Sequence, residues 1–195
     1  MDEARLGRPS RRAATAALEA HLAVLKGDPL KAALANALKD AEGLGGQERR
    51  FTALAVREMS RHQRLLDLAA RTLGHVPSKI GLLEDQTLVR YVLWRRLFCG
   101  ASWARISPEV KLPGPVRPRT IKDDLLAQVA ESPLAEPQVP AGPERLATRY
   151  SFPTWLVNRL AELHPEPVLE AILAALDEDP SLHFRVRPSG TRAEV

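Results

Sequence analysis

Residues 85–99 read DQTLVRYVLWRRLFC, and this nearly continuous apolar run decides the fold class. Its length favours a buried helix over a strand, because strands in globular proteins usually hold about three to ten residues. We therefore predict a central helix buried in the core of a helical domain. Tyr91, Trp94 and Phe98 are expected to be core residues rather than a platform on which bases stack, since they lie in the most apolar part of the chain.

Three helical segments are predicted before this run. Ser10 is expected to cap a first helix that ends near Gly27, and Asp28 with Pro29 to begin a second one. Residues 47–73 contain neither proline nor glycine and place apolar side chains on one arc at about 100° per residue. We predict one long helix there, or two nearly collinear ones. The buried arc comprises Phe51, Ala55, Met59, Leu66, Ala69 and Leu73.

The residues that follow the central run contain many prolines. Those at 108, 113, 115 and 118 predict an irregular loop, after which residues 120–131 have the apolar spacing of a last helix. Residues 133–143 hold four prolines and almost no large apolar side chain, so we interpret them as a linker.

Beyond the linker, the pattern predicts a smaller unit. Residues 153–164 and 165–177 have helical spacing, and 183–186 have the composition of a strand. The acidic turn Asp177-Glu178-Asp179 is interpreted as a solvated loop. A lone strand cannot satisfy its backbone hydrogen bonds without a neighbour. We therefore predict a short α+β segment that is cut short at Val195.

Charge is unevenly distributed along the chain. Residues 1–132 hold 22 basic and 15 acidic side chains, whereas residues 133–195 hold 6 and 9, and arginines outnumber lysines 22 to 6. Cys99 is the single cysteine, which excludes an internal disulfide and a metal site built on several thiolates. No signal peptide and no apolar run of roughly 18 residues is present. A cytoplasmic protein is the expectation.

Five arginines of the long helical segment form an arginine stripe. They fall within an arc of roughly 80° at helical spacing, opposite much of the apolar face. Guanidinium groups suit phosphates and stack on bases, so the stripe is a candidate RNA surface. A solvated charged face remains the alternative. The stripe comprises Arg50, Arg57, Arg61, Arg64 and Arg71. Arg105, next to Trp103, is a further candidate because an aromatic ring beside an arginine can stack on a base.

Two stretches carry a resemblance to a known family. Residues 149–157 read RYSFPTWLV, and residues 181–187 read SLHFRVR. This order resembles the region just before the catalytic domain of the Sun/RsmB family, which are bacterial methyltransferases that modify ribosomal RNA at carbon 5 of cytosine. The resemblance implies a NusB-like helical RNA-binding domain over residues 5–132, then the linker, then a partial methyltransferase segment over residues 144–195. The catalytic domain, with its S-adenosylmethionine, is expected to be missing from this chain.

The resemblance also implies where RNA would bind. In NusB-like domains the basic start of the first helix contacts RNA, and Arg5, Arg8, Arg11 and Arg12 have that position. Arg95 and Arg96 resemble the basic positions of the family's central helix, although the glutamine usual there is absent. Small-subunit ribosomal RNA is the implied ligand, and a ribosomal protein or the missing catalytic domain is an implied partner.

No catalytic site is predicted. Cys99 lies in the apolar run and is interpreted as structural, the five histidines lack metal-ligand spacing, and Gly43-Leu44-Gly45-Gly46 follows a helix rather than the strand that a cofactor cradle needs. Two alternatives to the methyltransferase reading stay open. One is a stand-alone NusB-like antitermination factor, and the other is a helical protein-interaction module that has lost RNA binding.

Overall fold

The structure, a computed structural model, describes residues 9–73, 82–110, 123–132 and 141–178. These residues form ten helices and no strand, which confirms the mostly α fold class. The predicted strand over 183–186 and most of the predicted linker lie outside the described ranges. No helix in those ranges is both long enough and apolar enough to cross a membrane.

The helices of the described ranges are numbered in chain order. They are α1 (Arg11–Leu25), α2 (Leu30–Asp40), α3 (Gly46–Arg61), α4 (Gln63–Thr72), α5 (Leu83–Cys99), α6 (Trp103–Val110), α7 (Asp123–Glu131), α8 (Pro143–Arg149), α9 (Thr154–Ala161) and α10 (Glu166–Asp177). Helices α1 to α7 share one hydrophobic core, here called the bundle, and α8 to α10 enclose a second, smaller core, here called the carboxyl-terminal unit.

Helix α1 packs against four other helices of the bundle, α2, α3, α5 and α6. Its buried side is rich in alanine, which lets neighbouring backbones approach closely. Ser10 caps the helix as predicted, because its hydroxyl accepts a hydrogen bond from the Ala13 N–H at 3.2 Å. The expectation for Asp28 was wrong: the residue that precedes α2 is Pro29, and no side chain caps that helix.

Helix α5 is the buried central helix that the sequence predicts. Tyr91 and Trp94 are fully buried, and the Trp94 ring lies 5.8 Å from that of Phe51, centroid to centroid. Phe98 is only partly buried and stacks on His62. The helix ends at Gly100, whose φ of +67° is costly for residues with a Cβ atom. In this conformation the Gly100 N–H bonds back to the helix carbonyl of Arg96.

Residues 47–73 form two helices rather than one long helix. The break between α3 and α4 lies at His62, where φ is −100° and ψ is +19°. The Leu66 N–H still bonds to the His62 carbonyl, so the hydrogen-bonded chain restarts at once. All six residues of the predicted apolar arc are buried, which confirms the periodicity analysis.

The prediction of a loop that begins at Pro108 was wrong, because Pro108 lies inside helix α6. Proline removes one helix hydrogen bond, but α6 places Ile106, Glu109 and Val110 in the interior, and all three are buried. Burial of the apolar side chains Ile106 and Val110 stabilises a short helix that its proline alone would disfavour. The other three prolines of the predicted loop lie outside the described ranges.

The carboxyl-terminal unit contains one helix, α8, that was not predicted. Pro143, which the sequence analysis placed in the linker, is the first residue of α8, a position that suits the fixed φ of proline. The predicted helices over 153–164 and 165–177 are confirmed as α9 and α10. The second core is formed by Leu146, Ala147, Val157, Leu169 and Leu173. Helix α8 also packs against α4, which joins this unit to the bundle.

Candidate nucleic-acid interface

Helices α1 and α3 pack against each other and begin at the same end of the bundle. The Thr52 hydroxyl of α3 donates to the Ala13 carbonyl of α1 at 3.2 Å. One turn earlier, hydrogen bonds from the Ser10 hydroxyl and the Gly45 N–H lower the pKa of Glu48. The amino-terminal ends of two helices, each with a partial positive charge, therefore lie side by side.

Four arginines surround this end of the bundle, here called the basic end. Arg11 and Arg12 at the start of α1, and Arg49 and Arg50 at the start of α3, are all exposed. Arg49 donates from Nε to the Leu44 carbonyl at 3.1 Å, which fixes its position beside the loop before α3. Three of the four, Arg11, Arg12 and Arg50, are among the predicted RNA-binding residues, and Arg49 is not.

A groove of about 950 Å³ opens beside the basic end. It contains acidic as well as basic side chains. Burial, followed by the nearby negative charge of Asp40, raises the pKa of Glu19. The mixed charge makes the groove itself a poor phosphate site and leaves the arginines at its rim as the basic feature. The lining residues are Arg11, Arg12, Thr15, Ala16, Glu19, Lys39, Asp40, Ala41 and Glu42.

The arginine stripe extends from the basic end along α3, and its members differ in environment. Arg50 and Arg71 are exposed, and the Arg57 side chain is 50% exposed. Arg57 lies 3.8 Å from the carboxylate of Glu58, which is buried. A hydrogen bond from His62 is the largest of several contacts that lower the pKa of Glu58. One buried negative charge therefore lies beneath the middle of the stripe.

Arg61 and Arg64 contact the carboxyl-terminal unit instead of facing solvent alone. Arg61 donates from Nε to Asp177 Oδ1 at 2.6 Å. Arg64 donates to Glu144 Oε1 at 2.8 Å, to Thr154 Oγ1 at 2.9 Å and to the Phe152 carbonyl. The structure thus divides the stripe into exposed arginines and arginines that join the two parts of the described chain.

The arginines of α5 do not lie on the surface with the others. Arg95 is fully buried and donates from Nε and Nη2 to the Glu109 carboxylate, at 3.1 and 3.0 Å. Arg96 is half-buried and donates to the carbonyls of Val129 and Ser132, which fixes the end of α7. A buried guanidinium cannot contact a nucleic acid at the protein surface, so Arg95, which was predicted to bind RNA, does not belong to the candidate interface.

The remaining predicted residues are separate or lie outside the described ranges. Arg105 is exposed on α6, whereas Trp103 is partly buried against the bundle core, so the pair does not present an open stacking platform. Arg5 and Arg8 precede the first described residue. Cys99 is buried, as expected of a structural residue.

Sequence reasoning missed three residues of this region. Arg49 was passed over because it lies off the arc of the stripe. Glu144 was missed because no helix had been predicted between residue 143 and residue 153, where the structure has α8. Asp177 had been placed in a solvated acidic turn, but it is the last residue of α10 and pairs with Arg61. The opposite charges of the two regions could have indicated this pairing, because residues 133–195 have a net negative charge and the arginine stripe is positive.

Among the described residues no cluster of three or more histidine, cysteine, aspartate or glutamate side chains is arranged to hold a metal ion. Comparison with protein-family models, with curated proteins and with solved structures gives no match to this chain.

Proposed function

We propose that this chain binds RNA through the basic end and the exposed part of the arginine stripe. The observation that carries the proposal is the position of four exposed arginines: Arg11, Arg12 and Arg50 lie at the paired amino-terminal ends of α1 and α3, and Arg57 lies about two helical turns beyond Arg50 on α3. Arginines on one surface neutralise phosphates and release counterions, and partial positive charge at helix ends favours the same anions. Such contacts give affinity with little sequence discrimination.

The resemblance to the Sun/RsmB family supplies a narrower proposal. The RNA would be small-subunit ribosomal RNA, and this chain would be the non-catalytic part that helps to dock a cytosine-C5 methyltransferase on its substrate. S-adenosylmethionine and the catalytic cysteine chemistry would belong to a separate catalytic domain. A ribosomal protein or that domain would be the protein partner.

A salt titration tests the RNA proposal. We expect binding to a small-subunit ribosomal RNA fragment to weaken steeply with salt, and Arg12→Ala/Arg50→Ala/Arg57→Ala to flatten the log K against log salt slope by about 2 to 3, at about 0.7–0.9 per lost phosphate contact. Fluorescence anisotropy at several salt concentrations measures the slope.

The matched control removes the same charge from the carboxyl-terminal unit. Arg145→Ala/Arg149→Ala/Arg159→Ala changes three arginines that pair with glutamates on that unit. We expect this control to keep the wild-type slope. Equal slopes for all three proteins, or no binding at low salt, would contradict the proposal.

One observation favours a second function, a protein-interaction module. The carboxyl-terminal unit exposes large apolar side chains, and Trp155 is 71% exposed. Val168, Ile172 and Leu176 lie four residues apart along α10, so they share one helix face, and Val168 and Leu176 are exposed. Exposed apolar surface of this kind is typical of protein interfaces. Absence of RNA binding at low salt would leave this function as the better supported one.

A further inference from the structure

The junction between the bundle and the carboxyl-terminal unit is polar. The two hydrophobic cores are separate, and the junction contains a cavity of about 270 Å³ rather than a continuous apolar contact. The cavity is lined by Arg64, Leu68, Arg71, Glu144 and Thr148. Hydrogen bonds and ion pairs therefore contribute a large part of what joins α4 to α8 and the end of α10.

The contacts of Arg64 form a closed ring. Arg64 Nη2 donates to both Glu144 Oε1 and Thr154 Oγ1, and the Thr154 hydroxyl donates to the other oxygen of Glu144 at 3.0 Å. Arg61 makes a second, separate contact with Asp177 at the end of α10. Two carboxylates of the carboxyl-terminal unit thus occupy the places that phosphate oxygens would take on two adjacent arginines of the stripe.

These pairs are accessible to solvent and to competing anions. The side chains of Arg61 and Arg64 are 25% and 32% exposed, and that of Glu144 is 42% exposed. Ion pairs at such sites are individually weak and screened by salt. A polyanion that brings several phosphates to the stripe at once can therefore replace them.

We propose that the carboxyl-terminal unit is an acidic latch that covers Arg61 and Arg64 and competes with RNA phosphates for them. The inference rests on the proposed RNA binding and adds its regulation: Arg50 and Arg57 make the first phosphate contacts, and Glu144 and Asp177 must be displaced before the stripe is used in full. Opening the latch lengthens the RNA surface by two arginines and separates α8 from α4.

Removing the two carboxylate charges tests the latch. We expect Glu144→Gln/Asp177→Asn to bind the ribosomal RNA fragment about tenfold more tightly than wild type at low salt, a coupling of ordinary allosteric size. Its log K against log salt slope is expected to be steeper by about 1.4 to 1.8, because two phosphate contacts are gained. The matched control is Glu166→Gln/Glu170→Gln, which makes the same charge change on carboxylates that pair with Arg145 and Arg149.

A control that tightens binding as much as the latch variant would overturn the inference, since general charge would then explain the gain. If the latch variant binds RNA with the same affinity and the same salt slope as wild type, the latch is contradicted and the RNA function stays intact. No binding by any of the proteins would overturn both. Small-angle scattering of the full chain without RNA gives an independent readout: the latch variant is expected to have a larger radius of gyration than wild type and control. Equal radii would contradict a latch held by these pairs.

Discussion

Glu109→Gln is expected to lower the free energy of unfolding by about 3 to 5 kcal/mol. The Glu109 carboxylate is buried and accepts hydrogen bonds from the Tyr91 hydroxyl at 2.7 Å and from Arg95 at 3.0 and 3.1 Å. Gln has nearly the same shape but no charge, so the buried guanidinium would lose the negative charge that compensates it. Urea unfolding followed by circular dichroism measures the loss.

A triple variant separates the charge imbalance from the packing. Tyr91→Phe/Arg95→Met/Glu109→Leu removes the whole polar group at once, and replacing a buried ion pair by apolar side chains of similar volume is often close to neutral. We expect the triple variant to be more stable than Glu109→Gln by at least about 1 kcal/mol. A single variant within about 1 kcal/mol of wild type would show that the pair contributes little.

The sequence predicted those parts of the fold that depend on apolar periodicity. The six-residue arc of 47–73 and the run of 85–99 are buried as expected, because a helix with apolar side chains at that spacing has one arrangement that removes them from water. Helix α6 was missed because Pro108 is a strong local signal, whereas the burial of Ile106 and Val110 is a tertiary effect that local sequence does not contain.

The candidate site was predicted less completely, because the sequence gives the positions of arginines but not their partners. Arg57 and Arg61 are equivalent on a helical projection, yet only Arg61 meets Asp177, a residue 116 positions later. Arg95 follows the buried Trp94 in an apolar run, and its pairing with Glu109 depends on α6, a helix that the sequence analysis did not include. Spacing identifies a basic face; the packing of distant helices decides which of its arginines remain exposed.

His21→Leu is expected to make stability much less sensitive to acid. His21 lies in α1 with its side chain fully buried, and neither ring nitrogen has a hydrogen-bond partner among the described residues. Burial, and then the positive charge of Arg90, lowers the pKa of His21 from 6.5 to about 3. The folded state therefore keeps this ring neutral at pH values at which the unfolded chain binds a proton.

The direction in which pH changes the free energy of unfolding follows from proton linkage. Because the pKa of the folded state is the lower one, the contribution of neutral His21 is complete above pH 6.5 and is lost as the pH falls from 6.5 towards about 3. The loss by about pH 4 is about 3 kcal/mol, at about 1.4 kcal/mol per pH unit. At pH 7 the free energies of unfolding of His21→Leu and wild type are expected to agree within about 1 kcal/mol. Leucine has a similar volume to histidine and has no polar atom to leave unbonded.

Urea unfolding of both proteins between about pH 7 and pH 4 measures the difference. Wild type is expected to lose about 3 kcal/mol more than His21→Leu over this range, on top of the acid effects that the two proteins share. His164→Leu is the matched control, because His164 is only partly buried and lies in the carboxyl-terminal unit, outside the bundle core. Parallel pH profiles for wild type and His21→Leu would mean that the ring is protonated in the folded state and that the interior between α1 and α5 admits a charge.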